Sequence, residues 1–200
     1  MSDTAIMIAA VLGCYLLGNI SPAIILGKII AKTDIRKHGS GNAGTTNVLR
    51  TLGPKAAVIT LIVDILKGAS AVWIGRYYGG QDLAMLCGLA AFAGHIWPAV
   101  YGFHGGKGIA TAAGVLISVE PRLGAIVAFI ALLTIALTRR VSLGALLAAL
   151  ALPFAANYFD PKYLSWAIII SIIIIYKHRA NIKRLLAGQE PKLSFKKKTE

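Results

Sequence analysis

The sequence predicts an all-α, polytopic integral membrane protein with about seven transmembrane helices, and three observations carry that expectation. Hydrophobic residues make up 56% of the 200 residues and charged ones only 14%, with a positive mean hydropathy, beyond what a soluble domain carries. Apolar runs such as 143–156 and 163–176 recur along the chain, and a soluble core cannot absorb that much apolar length. The formal charge is +13, but the basic residues flank apolar runs, where inner-face loops and anionic lipid place them, so nucleic acid is not the expected partner.

The first helix is expected over 5–30. Asp3 precedes it and no basic segment does, so it reads as a retained span and not as a cleaved signal peptide. A polar, glycine-rich stretch, HGSGNAGTTNVLR (38–50), separates it from a second span over 54–78. That span carries Asp64 and Lys67 three residues apart, the spacing of a buried ion pair. A third span covers 83–98 and runs into GHIWPAVYGFHGGKGIAT (94–111). The fourth, 109–119, rises only about 16 Å, well short of a full crossing, and reads as a half-helix or as a helix that begins inside the glycine loop. Spans over 123–137, 142–158 and 163–176 follow, then KHRANIKRLLAGQE (177–190) and a basic tail over 189–200. Cys14 and Cys87 fall inside apolar runs and read as small apolar filler, neither a disulfide framework nor a metal site. No repeat of 20–50 residues is visible, and residues 1–200 are expected to form a single membrane-embedded domain.

Orientation follows from the 21 lysines and arginines. With the N-terminus outside, only Arg76, Arg122 and Lys162 lie on the outer side and Lys67 lies within a span; the remaining 17 are inner. The rule that inner loops are basic therefore places the N-terminus outside and the C-terminus in the cytoplasm.

The three polar islands then all fall on the inner face. Gly39, Gly41 and Gly44 spell G-x-G-x-x-G, and Asp64 lies 20 residues after Gly44. A dinucleotide fingerprint is nevertheless excluded, because no strand precedes the glycines and Asp64 sits in mid-helix. Two readings of the loop stay open: a polar turn, or a cradle in which backbone N–H groups converge on an anion. In the second, Ser40, Asn42, Thr45, Thr46 and Asn47 add neutral donors and Arg50 a planar fork suited to phosphate. The second island sets Gly102, Gly105, Gly106 and Gly108 around Lys107 and opens into a helix, whose N-terminus attracts anions. It is not a Walker A loop, since Lys107 precedes a glycine and not Ser or Thr. His95 and His104 weigh toward structural or interfacial roles. In the third island His178 and Asn181, three apart, share a helix face, while Arg179, Lys183 and Arg184 suit inner head groups. Ser142 opens a helix and reads equally as an N-cap or as a ligand contact. Together the islands predict an inner-face pocket for an anionic head group. A transporter of phosphorylated solutes would need polar residues across the bilayer and repeats; a lipid-binding scaffold would not need glycine loops.

In this order the islands resemble the bacterial acyl-phosphate glycerol-3-phosphate acyltransferase family. Its motifs GSGNxGxTNxxR, GHxxPxxxGFxGGKGxAT and HRxNIxRxxxGxE stand here as GSGNAGTTNVLR, GHIWPAVYGFHGGKGIAT and HRANIKRLLAGQE. His104 occupies a place where lysine is common in the family. The HxxxxD signature of other glycerol phosphate acyltransferases is absent: five residues after His38, His95, His104 and His178 stand Ala43, Val100, Ile109 and Lys183. The resemblance implies transfer of a long-chain acyl group from acyl phosphate to the 1-hydroxyl of glycerol-3-phosphate. Lysophosphatidic acid and phosphate leave, in the first committed step of bacterial phospholipid synthesis. The reaction is expected at the cytoplasmic face of the plasma membrane, among membrane lipid, without cofactor or metal. The implied catalytic residues are Ser40, Arg50, Lys107, His178 and Asn181. The implied substrate-binding residues are Gly39, Gly41, Asn42, Thr46, Asn47, Gly105, Gly106, Gly108 and Ser142. Ser40, Arg50, Lys107 and the backbone near Gly41, Gly105 and Gly106 are expected at the phosphates and acyl carbonyl, with Ser142, His178 and Asn181 at the glycerol phosphate. The base is either His178 or a substrate phosphate, and Glu190 is expected to tie down the third motif.

Overall fold

The computed structural model describes residues 3–193, which are built of helices and turns with no strand. They form two compact units, one running to Val119 and the other Glu120–Leu193. The basic tail expected over 189–200 lies outside the described residues from position 194 onward.

The first unit contains α1 (Asp3–Asn19), α2 (Pro22–Ile30), α3 (Thr45–Thr51), α4 (Pro54–Ile96) and α5 (Ile109–Val119). The span expected over 5–30 is thus two helices. Ser21 takes an extended backbone and caps α2, its Oγ accepting the Ile24 N–H at 3.5 Å, and Pro22 opens the new helix. The break frees the carbonyls of Gly18 and Ile20, which a hydrocarbon interior cannot leave bare. The Lys67 ammonium donates to both, at 3.0 and 2.6 Å, and stands 2.8 Å from Asp64 Oδ1. The expected Asp64–Lys67 pair is therefore present, and its ammonium closes the helix break.

A straight helix of 43 residues would run about 65 Å, roughly twice the hydrocarbon thickness. Instead α4 folds back at Gly79 and Gly80. Gly80 has φ 70° and ψ −157°, a conformation that side-chain-bearing residues rarely adopt. Gly75 packs against Leu83 and Ala84, and Gly88 against Val72, so residues 54–78 and 81–96 are antiparallel limbs. They correspond to the second and third expected spans. Small residues let these helices approach closely: Gly18 abuts the Ala91 backbone and Gly94 the Tyr15 carbonyl, seating α1 on the second limb. α5 has the expected bounds and packs on the first limb.

The second unit contains α6 (Pro121–Thr138), α7 (Val141–Phe159), α8 (Leu164–Lys177) and α9 (Arg179–Leu186). α6 and α7 form a hairpin about Arg139, whose φ is 58°, with Gly144 against the Ala131 carbonyl. The segment Pro161–Lys177 bends by 60° into α9, and His178 sits at the bend. Leu123, Leu152, Ala156, Trp166 and Ile170 are among the second unit's buried apolar residues.

Both units expose large apolar side chains, among them Leu12, Ile29 and Trp73 in the first and Leu137, Phe154 and Tyr158 in the second. Leaving such groups in water forgoes about 1.5–3 kcal/mol each, which lipid contact restores. Among the described residues, four helical stretches are long and apolar enough to cross a membrane: Asp3–Ile30, Pro54–Tyr101, Pro121–Thr138 and Val141–Phe159. The bent pair Pro161–Lys177 with Arg179–Leu186 makes a fifth if it is one span.

Candidate active site

The first glycine loop joins α2 to α3. It begins with a short turn, Ile35–Lys37, capped by Asp34. Gly39 and Gly41 take φ of 59° and 71° and turn the chain sharply. Asn47, on α3 and 1% exposed, reaches back into the loop. Its Oδ1 accepts the Ser40 N–H at 2.8 Å, and its Nδ2 donates to the carbonyls of Ile35 and His38 at 3.0 Å each. A Cβ on Gly39 would overlap Asn47 Oδ1. Asn47 was expected among the substrate contacts; both its amide hydrogens instead serve the loop's own carbonyls, so it shapes the cradle. Ser40 is exposed beside this hub, Asn42 and Thr46 are half-buried, and Arg50 is half-buried in the last turn of α3. Thr45 Oγ1 is buried and makes no hydrogen bond among the described residues.

The second loop follows the end of α4. The Gly105 N–H donates to the Ile96 carbonyl at 3.2 Å and the Gly106 N–H to the His95 carbonyl at 3.1 Å. In the first loop the Gly41 N–H donates to the His38 carbonyl at 3.0 Å. These three donors were expected to face an anion and instead face the protein. The physical cause at α4 is its C-terminus, where carbonyls have no helical partner and must find one. Glycine at 106 answers a close approach: a Cβ there would strike the His95 ring and the Ala43 carbonyl. Gly108, at φ 83°, lies against the Phe92 ring, and the first helical bond beyond it runs from the Ala112 N–H to the Gly108 carbonyl. The N–H groups of Ile109, Ala110 and Thr111 stand ahead of that bond, at the start of α5, where a helix supplies them no carbonyl. Lys107 is half-buried directly before them.

The two loops meet. Arg36 Nη1 donates to the Tyr101 and His104 carbonyls at 2.9 and 3.1 Å, and Ala43 touches Gly106. The carboxylate of Asp34 takes the rest of that guanidinium, with Nη2 to Oδ2 at 2.8 Å; bonding to Arg36 holds the Asp34 carboxyl down at about 2. Beneath the second loop, His95 Nδ1 stands 3.2 Å from Asp64 Oδ1, so the Asp64–Lys67 pair extends through a buried imidazole to Gly106. His104 is exposed and turns its Nδ1 to the Gly102 carbonyl of its own loop. Both imidazoles take structural places. Arg36 and Asp34 escaped the sequence reasoning, although the DIR triplet directly ahead of the first glycines was their signal.

In the second unit the hub is Glu190, 7% exposed. Its Oε1 accepts from Ser142 Oγ at 2.6 Å and Asn181 Nδ2 at 2.7 Å, and its Oε2 from Arg184 Nε at 2.7 Å. Burial pushes the carboxyl up, but the hydrogen bonds from Ser142, Asn181 and Arg184 outweigh it and hold the group below its ordinary value. Ser142 is not an N-cap: Arg140 occupies that position and Ser142 lies inside the first turn of α7. Glu190 ties the third motif together as expected. His178 is 3% exposed, with Nδ1 2.8 Å from the Ile174 carbonyl. A carbonyl only accepts, so Nδ1 carries the hydrogen and Nε2 the lone pair of the neutral ring. Among the described residues no group of three or more His, Cys, Asp or Glu is placed to hold a metal ion.

The sequence matches the family described as glycerol-3-phosphate acyltransferase over residues 8–188. A glycerol-3-phosphate acyltransferase of Alkaliphilus metalliredigens is 42% identical over 96% of this chain and 98% of the relative. One of Thermoanaerobacter pseudethanolicus is 47% identical over 91% and 93%. Among solved structures, the glycerol 3-phosphate form of PlsY (YgiH), an integral membrane glycerol 3-phosphate acyltransferase, superposes with a TM-score of 0.86 at 37% identity, covering 94% of this chain and 96% of that one. The lysophosphatidic acid form of the same enzyme gives 0.85 at 36%.

Proposed function

The chain belongs to the glycerol-3-phosphate acyltransferase family, an enzyme family of phospholipid synthesis, and we propose that its acyl donor is an acyl phosphate. The acceptor is the 1-hydroxyl of glycerol-3-phosphate and the products are lysophosphatidic acid and inorganic phosphate. The observation that supports this reading is the meeting of two glycine-rich loops in one unit, through Arg36 with Tyr101 and His104 and through Ala43 with Gly106; Lys107 belongs to the second loop and Arg50 to the helix that follows the first. An acyl phosphate is a mixed anhydride with a good leaving group. The barrier left for the protein is the crowding and orientation of two anions, and fixed cations and N–H groups lower that barrier.

In the proposed reaction the glycerol hydroxyl oxygen attacks the acyl carbonyl carbon, and the bond from that carbon to the phosphate oxygen breaks as phosphate leaves. Ser40, Arg50, Lys107 and the first turn of α5 meet the phosphates and acyl carbonyl, and the half-buried Asn42 and Thr46 add donors. Ser142, His178 and Asn181 serve the glycerol phosphate. The hydroxyl proton passes either to His178, whose Nδ1 lies at the Ile174 carbonyl, or to an oxygen of a substrate phosphate.

The proposed setting is the bacterial plasma membrane, crossed seven times, with the N-terminus outside and the reacting face cytoplasmic. The distribution of basic residues supports this, as do the exposed Trp73, Tyr77 and Tyr78 beside the α4 fold-back, which suit an interface. Impermeant labelling of single cysteines at positions 3 and 192, the second exposed beyond the third motif, tests the topology; labelling of both from one side would require an even number of spans.

The reaction is tested with purified protein in lipid, given acyl phosphate and labelled glycerol-3-phosphate, with lysophosphatidic acid extracted and counted. Acyl phosphate should support turnover and acyl-CoA should not. Comparable rates from the two donors would overturn the proposed donor.

A further inference from the structure

We propose that Arg36 is a positioning residue for acyl transfer: its guanidinium, aligned by Asp34, holds the two glycine-rich loops in the mutual register that the reaction needs. This rests on the reading that both loops carry ligands of the reacting phosphates.

Each loop is braced on its own. The first is closed by Asn47, through Ser40, His38 and Ile35. The second is closed by the Gly105 and Gly106 N–H groups on the end of α4. These internal bonds set the shape of each loop and leave their relative placement to whatever crosses between them. Arg36 crosses. Its Nη1 uses both hydrogens on the second loop, at Tyr101 O (2.9 Å) and His104 O (3.1 Å). Its Nε and Nη2 lie against the Asp34 carboxylate at 2.8–3.1 Å. Asp34 in turn accepts the Arg36 backbone N–H at 3.0 Å, so side chain and main chain are set by one carboxylate. A planar fork can serve a carboxylate on one edge and two carbonyls on another; an ammonium cannot.

Displacing one loop against the other by a fraction of an ångström misaligns the ligands of the reacting phosphates and acyl carbonyl without removing any of them. The signature is a fall in turnover with little change in apparent affinity. Arg36→Lys and Arg36→Ala should each lower kcat about 30- to 100-fold, with KM for acyl phosphate and for glycerol-3-phosphate changed by less than about threefold. Asp34→Asn keeps the two carbonyl bonds and removes the charged aligner, so its loss should be smaller than that of Arg36→Ala.

The experiment measures kcat and both KM values in lipid for the wild type and the three variants. Thermal unfolding and size-exclusion profiles identify the folded fraction. Free guanidinium ion, at a concentration that leaves the wild type unaffected, is added to Arg36→Ala. Recovery of at least about fivefold by guanidinium, and none by methylammonium, is expected, because only the planar ion refills the vacated fork. Arg36→Lys with wild-type kcat, a loss that tracks the folded fraction, or no recovery with guanidinium would each overturn the proposal. If the wild type itself makes no lysophosphatidic acid from acyl phosphate, the donor assignment fails instead. Wild-type turnover with indifferent Arg36 variants leaves that assignment intact and removes only the positioning role.

Discussion

Asn47 in the first unit and Glu190 in the second are both buried polar hubs, and they gather different things. Asn47, neutral, collects backbone: one N–H and two carbonyls of the first glycine loop. Glu190, anionic, collects side chains: the Ser142 hydroxyl, the Asn181 amide and the Arg184 guanidinium. A hub that holds backbone sets the course of the chain without engaging neighbouring side chains such as those of Ser40 and Arg50. A hub that holds side chains fixes their rotamers but uses part of their hydrogen-bonding capacity. On the proposed function, most of the anion-binding capacity falls on the loops of the first unit and the third motif has an orienting character.

The largest effect should come from the cations of the two glycine-rich segments, Arg50 and Lys107. If these cations meet the crowded anions of the proposed reaction, Lys107→Ala and Arg50→Ala should each cost about 2–4 kcal/mol or roughly 30- to 1,000-fold in rate. The Asn47 hub stays intact in both, so folded yield should be preserved. Arg50→Lys should recover only part of the rate, because an ammonium cannot reproduce the bidentate fork. Near-normal initial rates in the two alanine variants, with well-folded protein, would remove the phosphate role of both loops.

Next in size is the hub itself. Asn47→Ala leaves the Ser40 N–H and two carbonyls without their partner and should destabilise the protein by about 2–4 kcal/mol. The loss should be the same from about pH 5 to 8, since no titrating group is removed. Thermal unfolding in detergent reads it directly; an unchanged melting temperature would mean that the loop does not depend on Asn47.

Glu190→Gln should cost somewhat less, about 1.5–3 kcal/mol at neutral pH, as bonds to a charged acceptor become bonds to an amide. Here pH matters. The Glu190 carboxyl is held below its ordinary value of 4.5. Its charge therefore contributes stability that is fully present above 4.5 and is lost as pH falls through the lowered value. The wild type should lose melting temperature on acidification through that window more steeply than Glu190→Gln. Equal slopes would show that the carboxylate charge is not what holds Ser142, Asn181 and Arg184.

The smallest effect is expected at Lys183, which is exposed on α9 beside this hub and outside its bonds. Lys183→Ala should change stability by no more than about 0.5 kcal/mol and leave initial rates near wild type. A large loss would mean that the third motif acts through its surface charge as well as through Glu190.

The sequence by itself determined the helical class, the order of the apolar segments, the Asp64–Lys67 pair and the family, because each is written in local spacing: apolar length, an i,i+3 separation, or a contiguous motif. The bounds of α5 and the shared buried side of His178 and Asn181 were legible for the same reason. The break before α2 was also signalled, by Ser21–Pro22, but an unbroken apolar run conceals it. Only the tertiary structure decided which groups the polar residues would meet. Ser142 and Glu190 are 48 positions apart, and Arg36 and His104 are 68 apart; no periodicity links such pairs. The same holds for the glycines. Their number in the second loop announces a tight backbone, but whether the Gly105 and Gly106 N–H groups face a ligand or the end of α4 depends on dihedrals set by packing against His95 and Ala43. A buried donor takes the nearest acceptor the fold supplies, and where that acceptor lies is a property of the folded chain.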